Sequence, residues 1–341
     1  MANKETPRNV MSKNICKKYG LYRDMVEPQF REPFIVKGYR QPNMAALDCL
    51  KSPFVYYCNE TINVWSHFLG FLIFLIKFYM IFTKEFNVEN IHVWPLISYA
   101  LGIMGFCLMS SIAHTFNSIS PTVRNICFFL DYAAIGIYSV GAGQAFYFYC
   151  RPLGHDIYIY QSPFIFCLFS IFISITSTVM CCLTRHNWHS LKYILRTCSM
   201  ILPFLVNASP YLYRLLFCGT DLDCDYRSFT LFAKHCVLYA LAAVANVTRL
   251  PERFIPGVFD TLGQSHHLMH IFTAVGAGIQ FEAIKLDMVN RMDVLQDIRI
   301  QGEASNTFTV MLAALVVNFA IAILFGVTST RGSYNKIKKS S

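Results

Sequence analysis

The chain contains eight apolar segments, each about 20 residues long. A helix of that length crosses the roughly 30 Å of hydrocarbon in a bilayer. Only 14% of the residues are charged, whereas a soluble domain has about a quarter charged residues. The sequence therefore predicts an all-α integral membrane protein. The predicted spans are 66–83, 93–116, 125–149, 160–182, 191–217, 229–247, 265–287 and 308–327.

The polar ends of the chain flank this membrane domain. We expect residues 1–65 to form an N-terminal arm, 66–327 an eight-helix transmembrane domain and 328–341 a basic tail. Outside the spans, 18 Lys and Arg residues fall on the side of both termini and five on the other side, or eight against five without the arm. Because cytosolic segments carry the excess of Lys and Arg, both termini are predicted to be cytosolic. The sequons at Asn59 and Asn246 then lie on the inner side, and we expect neither to be glycosylated.

The tail ends in KIKKSS, which is similar to the dilysine signal that retrieves membrane proteins to the endoplasmic reticulum. A basic tail beside the membrane also suits anionic lipids of the cytosolic leaflet. We therefore expect a plasma-membrane protein with an endoplasmic reticulum pool.

Ionisable side chains gather where three of the spans meet the cytosolic side. Ser110 and His114 are four residues apart near the inner end of the second span, and His266 and His270 are four apart at the start of the seventh. Asp131 lies one or two turns into the third span, which also starts from the inner side. Residues four apart share one helix face. Three imidazoles and one carboxylate are therefore predicted to reach the same depth.

This set of side chains suits a metal ion. Three histidine nitrogens can fill three tetrahedral positions around Zn²⁺ and leave the fourth for water, which Asp131 and Ser110 would hold or orient. Histidines near a helix end also bind lipid headgroups or backbone carbonyls, but a buried carboxylate needs a partner. His267 lies three residues before His270, so His267 and His270 could also share a helix face and form an alternative ligand pair. We favour His266 with His270 and expect His267 to face a neighbour or the interface.

A second polar group lies at the start of the first span. Glu60, Asn63 and His67 are spaced as one stripe of a helix. A polar, capped helix start with Trp65 as its interfacial anchor explains the stripe. Alternatively, the stripe closes the bottom of the bundle near the histidines. We favour the helix start.

Five short motifs occur in order between about residues 30 and 290. They are GYR (38–40), ETINVWSH (60–67), SSIAHTF (110–116), PERFIPGVFD (251–260) and SHHLMH (265–270). Together they resemble the progestin and adipoQ receptor family. PERFIPGVFD, QFEAIKLD (280–287) and the eighth span are similar to its membrane progestin receptor branch, and SSIAHTFNSISP is similar to the gamma type of that branch.

The resemblance implies a seven-helix receptor core of the adiponectin-receptor type with a lipid-accessible cavity, plus an eighth C-terminal helix. It implies zinc ligands at His114, His266 and His270, with Asp131 and Ser110 beside the water position. The family usually has glutamine where this chain has His267, which keeps the ligand register open.

Two functions of different classes are compatible with these residues. The first, implied by the resemblance, is a receptor that binds a progestin or another lipid in the membrane and signals to a cytosolic effector, with no nucleic-acid partner. The second is a zinc-dependent hydrolase of lipid amides such as ceramide, with Asp131 as general base and Ser110 beside it. Zinc suits that reaction because it lowers the pKa of water to about 7 and polarises a carbonyl.

Overall fold

The computed structural model of the chain describes residues 18–152, 157–186, 190–218, 225–293 and 305–340. These residues are almost entirely helical, and the β pairing found among them is one isolated bridge between Leu21 and Tyr39. The predicted all-α class is confirmed.

Eleven α-helices follow one another in the described part of the chain, and a π-helical turn at Phe146–Cys150 extends the fourth. The helices are Ala46–Val55 (α1), Thr61–Lys84 (α2), Trp94–Phe116 (α3), Pro121–Ala145 (α4), Tyr158–Gln161 (α5), Pro163–His186 (α6), Lys192–Asn207 (α7), Ser209–Leu216 (α8), Tyr226–Thr248 (α9), Ser265–Asn290 (α10) and Ser305–Ser340 (α11).

The eight predicted spans correspond to α2, α3, α4, α6, α7 with α8, α9, α10 and α11. Six of these units are long and apolar enough to cross a membrane by length and composition. The other two are α10, which carries more polar side chains, and the fifth unit, which breaks at Ala208 between α7 and α8. Pro203 inside α7 and Pro210 in the first turn of α8 account for the break, because proline lacks a backbone N–H and clashes with the preceding turn.

Several helices extend beyond the predicted spans. α2 begins at Thr61 instead of 66, and α11 continues through the basic residues to Ser340 instead of ending at 327. α4 begins at Pro121 instead of 125 because proline suits the first turn of a helix. The Ser120 hydroxyl accepts a hydrogen bond from the backbone N–H of Val123 at 3.1 Å and caps this helix.

α4 is the central helix of the bundle. In the most apolar 18 residues of α4, 78% of the residues are buried, whereas the corresponding fraction is 28% in α2 and in α11. Gly102 on α3 and Gly141 on α4 allow these two backbones to approach closely. A Cβ at Gly141 would lie 2.6 Å from the carbonyl oxygen of Ser98, and one at Gly102 would lie 2.9 Å from Cα of Tyr138. Small residues permit such contacts in membrane bundles.

The arm ahead of α2 packs against the end of the bundle where α3 finishes and α10 starts, called the histidine end below. Arg40 is buried and donates hydrogen bonds to the carbonyl oxygens of His114 at 2.6 Å and Thr115 at 2.8 Å. Carbonyls at a helix C-terminus lack helical partners, so Arg40 caps α3. The backbone N–H of Lys37 donates to Asp260 at 2.8 Å and ties the arm to the loop before α10.

Candidate metal centre

Three imidazoles meet at the histidine end, between α3 and α10. Nε2 of His266 lies 3.4 Å from Nε2 of His114 and 3.3 Å from Nε2 of His270. One ligand atom of each residue lies within 4.8 Å of the others. His114 and His270 are buried, at 3% and 2% exposed, whereas His266 is partly exposed. The structure thus brings together the three histidines singled out in the sequence.

A buried carboxylate fixes the start of α10 and with it two of the imidazoles. Glu252 accepts hydrogen bonds from the backbone N–H of Ser265 at 2.7 Å and from the Ser265 hydroxyl. A carboxylate is stabilised at the N-terminus of a helix, where backbone N–H groups lack helical acceptors. Glu252 therefore anchors the first turn, and His266 and His270 follow one turn apart on one face.

Glu60 orients the third imidazole. Its Oε2 lies 2.7 Å from Nδ1 of His114, and the side-chain amides of Asn63 and Asn117 donate to the same carboxylate at 2.8 Å each. A carboxylate on the second nitrogen of a histidine fixes the ring and leaves Nε2 available to a metal. The stripe lies at the start of α2, with Glu60 at its N-cap position, but the predicted capping is wrong because the Glu60 side chain makes no capping hydrogen bond and contacts His114 instead.

His67 also belongs to the cluster rather than to the helix start. It is buried, and its ring lies edge-on to His270 with the ring centroids 4.3 Å apart. Within the described ranges, Nδ1 of His266 and Nδ1 of His270 have no hydrogen-bond partner. Among the described residues, His114 therefore has a carboxylate on its Nδ1, whereas Nδ1 of His266 and Nδ1 of His270 have no partner.

Asp131 and Ser110 line the same cavity as the histidines. Asp131 is 7% exposed and Ser110 lies within hydrogen-bonding reach of it. Oδ1 of Asp131 has no hydrogen-bond partner among the residues described. An unpartnered buried carboxylate oxygen is unfavourable, and a bound cation or polar ligand would satisfy it. Three imidazoles and a nearby carboxylate fit the donor set that Zn²⁺ prefers.

His267 points away from this cluster. It is buried, and its Nε2 lies 3.0 Å from the carbonyl oxygen of Asn59 and 3.0 Å from Nε2 of Gln264. Its ring thus links the first turn of α10 to the residue before Glu60.

A cavity of about 730 Å³ extends from the cluster into the bundle, a size typical of small-ligand sites. Polar groups lie at both ends of it. At the deep end the hydroxyls of Tyr138 and Tyr239 are 3.0 Å apart, and Gln280 accepts a hydrogen bond from Tyr138. Apolar side chains between the two ends include Phe106, Phe128, Ile135, Met200 and Phe204.

Sequence reasoning missed three residues that support the centre. Arg40 and Glu252 lie outside the spans, where no helical periodicity marks them, and their signal was their place in the GYR and PERFIPGVFD motifs. Glu60 was noticed but assigned to the helix start. Arg40 and Glu60 contact the backbone and the ring of His114, and Glu252 contacts Ser265, the residue before His266.

Comparison with known proteins decides the family. Residues 55–281 match the Haemolysin-III related family, and this range contains the whole histidine cluster. The chain belongs to that family. It is 32% identical to membrane progestin receptor gamma-A of Danio rerio over 335 residues, which cover 92% of this chain and 96% of that protein.

Two human relatives agree with this assignment. The chain is 34% identical to membrane progestin receptor delta of Homo sapiens over 312 residues, 89% of this chain and 88% of that protein. It is 32% identical to membrane progestin receptor gamma of Homo sapiens over 282 residues, 80% and 82% of the two chains. The predicted resemblance to the membrane progestin receptor branch, with its gamma type, is confirmed.

Proposed function

We propose that the chain is a membrane progestin receptor whose bundle binds a zinc ion through His114, His266 and His270 close to the cytosolic face. Its similarity to proteins named membrane progestin receptors supports the receptor function. The spacing of the imidazole nitrogens supports the metal and is the observation that carries this part.

The nitrogen spacing matches tetrahedral coordination. With Zn–N distances of about 2.0–2.1 Å, two ligand nitrogens of a tetrahedral site are about 3.3–3.4 Å apart. Two of the three Nε2 separations in the cluster are 3.3 Å and 3.4 Å, and the ligand atoms of His114 and His270 lie within 4.8 Å of each other. Glu60, at 2.7 Å from Nδ1 of His114, favours the proton on that nitrogen, so Nε2 presents its lone pair to the cluster.

The cavity suits a steroid. A progestin is flat and apolar with polar groups at its two ends, and it reaches a membrane site through the lipid. The cavity is mostly apolar along its length, with Asp131 and the histidines at one end and Tyr138 and Gln280 at the other. The polar groups at the two ends of the cavity therefore correspond to the polar ends of a progestin.

Asp131 favours a second function, hydrolysis of a lipid amide such as ceramide. Its Oδ1 has no partner within the described part of the chain, so it would be available to take a proton from an attacking water. Ser110 would hold the carboxylate in position. Bound zinc would supply polarisation of the amide carbonyl.

The metal is tested by elemental analysis of the purified protein. We expect about one zinc per wild-type chain, nearly none in His266→Ala, and wild-type content in the matched control His267→Ala. Zinc content that is equal in the two variants would contradict the ligand assignment, and absence of zinc from the wild type would remove the metal from the proposal.

Ligand and reaction are tested on the same preparation. Saturable binding of labelled progesterone without ceramide turnover supports the receptor alone. Turnover that is lost with a chelator and in Asp131→Ala supports the hydrolase. A preparation with neither property overturns both functions.

We further propose that the arm 1–65 and the tail 328–341 lie in the cytosol, that the protein occupies the plasma membrane with an endoplasmic reticulum pool, and that it acts on a cytosolic effector. Cys218, at the opposite end of the bundle, is disulfide-bonded, which fits an oxidising compartment there. Cys224 in the following loop lies outside the described residues. Glycan on Asn59, or an arm epitope accessible on intact cells, would invert this topology.

A further inference from the structure

A group of cationic side chains surrounds the cavity at the histidine end, where α4 and α7 begin and α6 and α9 end. The cavity lining contains six Lys and Arg residues against three carboxylates, so the lining carries excess positive charge. Glu32 pairs with Arg124 at 2.5 Å, and Glu60 holds His114. Five of the six cations form no ion pair with any described residue. One of them, Arg31, donates to the carbonyl oxygen of Val26 in the arm. The other four, on α6, on α7 and directly after α9, are called the basic mouth below. They are Arg185, Lys192, Arg196 and Arg249.

Aromatic rings and neutral side chains hold these cations in place. The guanidinium of Arg249 lies 3.8 Å from the ring centroid of Tyr193, and that of Arg185 lies 4.3 Å from the ring centroid of Phe128. Nε of Arg185 also donates to Asn125 at 2.7 Å. Such contacts orient a cation without neutralising its charge.

Arg249 is the most constrained member of the basic mouth. It is 8% exposed, and its Nε has no hydrogen-bond partner among the described residues. Glu32 attracts Lys192 but is already paired with Arg124, and Arg196, Arg249 and Arg185 repel Lys192. Burying like charges without a counter-ion is unfavourable, and an anion at the basic mouth would relieve both problems.

The general preference for cytosolic Lys and Arg does not account for this arrangement. That preference requires a Lys or Arg residue on the inner side of the membrane, but it does not require the side chain to face the cavity. Arg253, four residues after Arg249, satisfies this preference. Its side chain is exposed and does not line the cavity. Arg249 is buried in the cavity wall instead.

We propose that the basic mouth binds the phosphate group of an anionic lipid from the cytosolic leaflet, with the lipid chain extending into the apolar cavity. Arg guanidinium groups match phosphate oxygens in a bidentate geometry. Anionic lipids are enriched in the cytosolic leaflet. The apolar lining behind the basic mouth accepts the chain. The proposal requires neither zinc nor progestin binding, and neither is part of its readout.

The test measures binding of three probes to the purified full chain in detergent by native mass spectrometry. The probes are dioctanoyl phosphatidic acid, dioctanoyl phosphatidylcholine and inorganic phosphate. Arg249→Gln and Lys192→Gln each remove one cation of the basic mouth, and Arg253→Gln removes one nearby cation outside it. We expect phosphatidic acid to bind the wild type and Arg253→Gln equally and to bind the two mouth variants about tenfold more weakly.

Three results would overturn the proposal. The first is equal phosphatidic acid affinity in the mouth variants and the Arg253→Gln control. The second is equal affinity of the wild type for phosphatidylcholine and phosphatidic acid. The third is inorganic phosphate binding as tightly as the lipid, which would identify free phosphate as the ligand. Lys192 is half-exposed, so Lys192→Gln carries the comparison if Arg249→Gln does not fold.

Discussion

Two buried carboxylates, one at each end of the bundle, have opposite surroundings. At the end away from the histidines, Arg214 donates to both carboxylate oxygens of Asp287, at 2.8 Å and 3.3 Å, and the two side chains are 3% and 0% exposed. At the histidine end, Asp131 is almost as buried, but its Oδ1 has no partner in the described part of the chain. A paired buried charge is a structural element, whereas an unpaired one beside a cavity indicates a ligand site.

Side-chain packing also differs between the two ends of the bundle. Around the Arg214 ion pair, aromatic rings fill the space, with the ring centroids of Tyr211 and Phe232 4.2 Å apart and those of Phe146 and Phe232 5.7 Å apart. At the histidine end, the side chains line a cavity instead. One end is therefore filled by side chains that hold the helices together, and the other contains a cavity.

The largest effect is expected from breaking the ion pair at the filled end. Asp287→Ala should lower the free energy of unfolding by about 3–5 kcal/mol, because it leaves the buried Arg214 without its carboxylate. Thermal unfolding of the purified protein measures this loss. Lys285→Ala is a control on the same helix, since its pair with Glu85 is partly exposed and contributes less than about 1 kcal/mol. Equal losses in the two variants would contradict the structural role of Asp287.

The next effect concerns metal affinity. Glu60→Gln should weaken zinc binding by about 10- to 100-fold, because the carboxylate that orients His114 is lost. Competition with a chromophoric chelator measures the affinity. Asn63→Ala is a milder variant, since it removes one hydrogen bond to Glu60 and keeps the carboxylate on His114. Unchanged affinity in Glu60→Gln would show that the contact is structural only.

A matched substitution at the two ends tests the comparison directly. Asp131→Asn should change the free energy of unfolding by less than about 1 kcal/mol, because it breaks no ion pair. Asp287→Asn should have an effect several times larger. The same denaturation assay reads both variants, and similar losses would mean that Asp131 has a structural role like that of Asp287.

The smallest effect is expected at His267. His267→Gln should leave the zinc content unchanged, because the His267 ring faces Asn59 rather than the cluster and an amide can also donate to that carbonyl. Elemental analysis checks this outcome. Loss of zinc in this variant would favour the register that uses His267 with His270.

The helical framework could be predicted because the bilayer fixes the length of an apolar helix. Its details depended on local chemistry, as at Pro121 and Ser120, which begin α4 four residues before the predicted span. The break at Ala208 could not be predicted, because proline is tolerated inside many membrane helices and only the tertiary packing decides where a chain breaks.

The meeting of the histidines could be predicted because successive spans cross the membrane in alternating directions, which places the end of the second span and the start of the seventh on the same side. The partners of the histidines could not. Whether Glu60 faces His114 depends on the rotation of α2 about its axis, which the sequence pattern left open. Arg40 lies in a segment with no periodicity, so only the folded structure reveals its contact with α3.

A chain that began at Thr61 would keep every helix of membrane length and all of the imidazoles. It would lose the clamp that Arg40 forms on the last carbonyls of α3 and the carboxylate that stops the His114 ring from turning. From hydropathy alone, the residues before Thr61 would be judged unnecessary for the membrane domain. The contacts show that these residues support the histidine cluster. Removing them should therefore weaken metal binding while the helices still insert into the membrane.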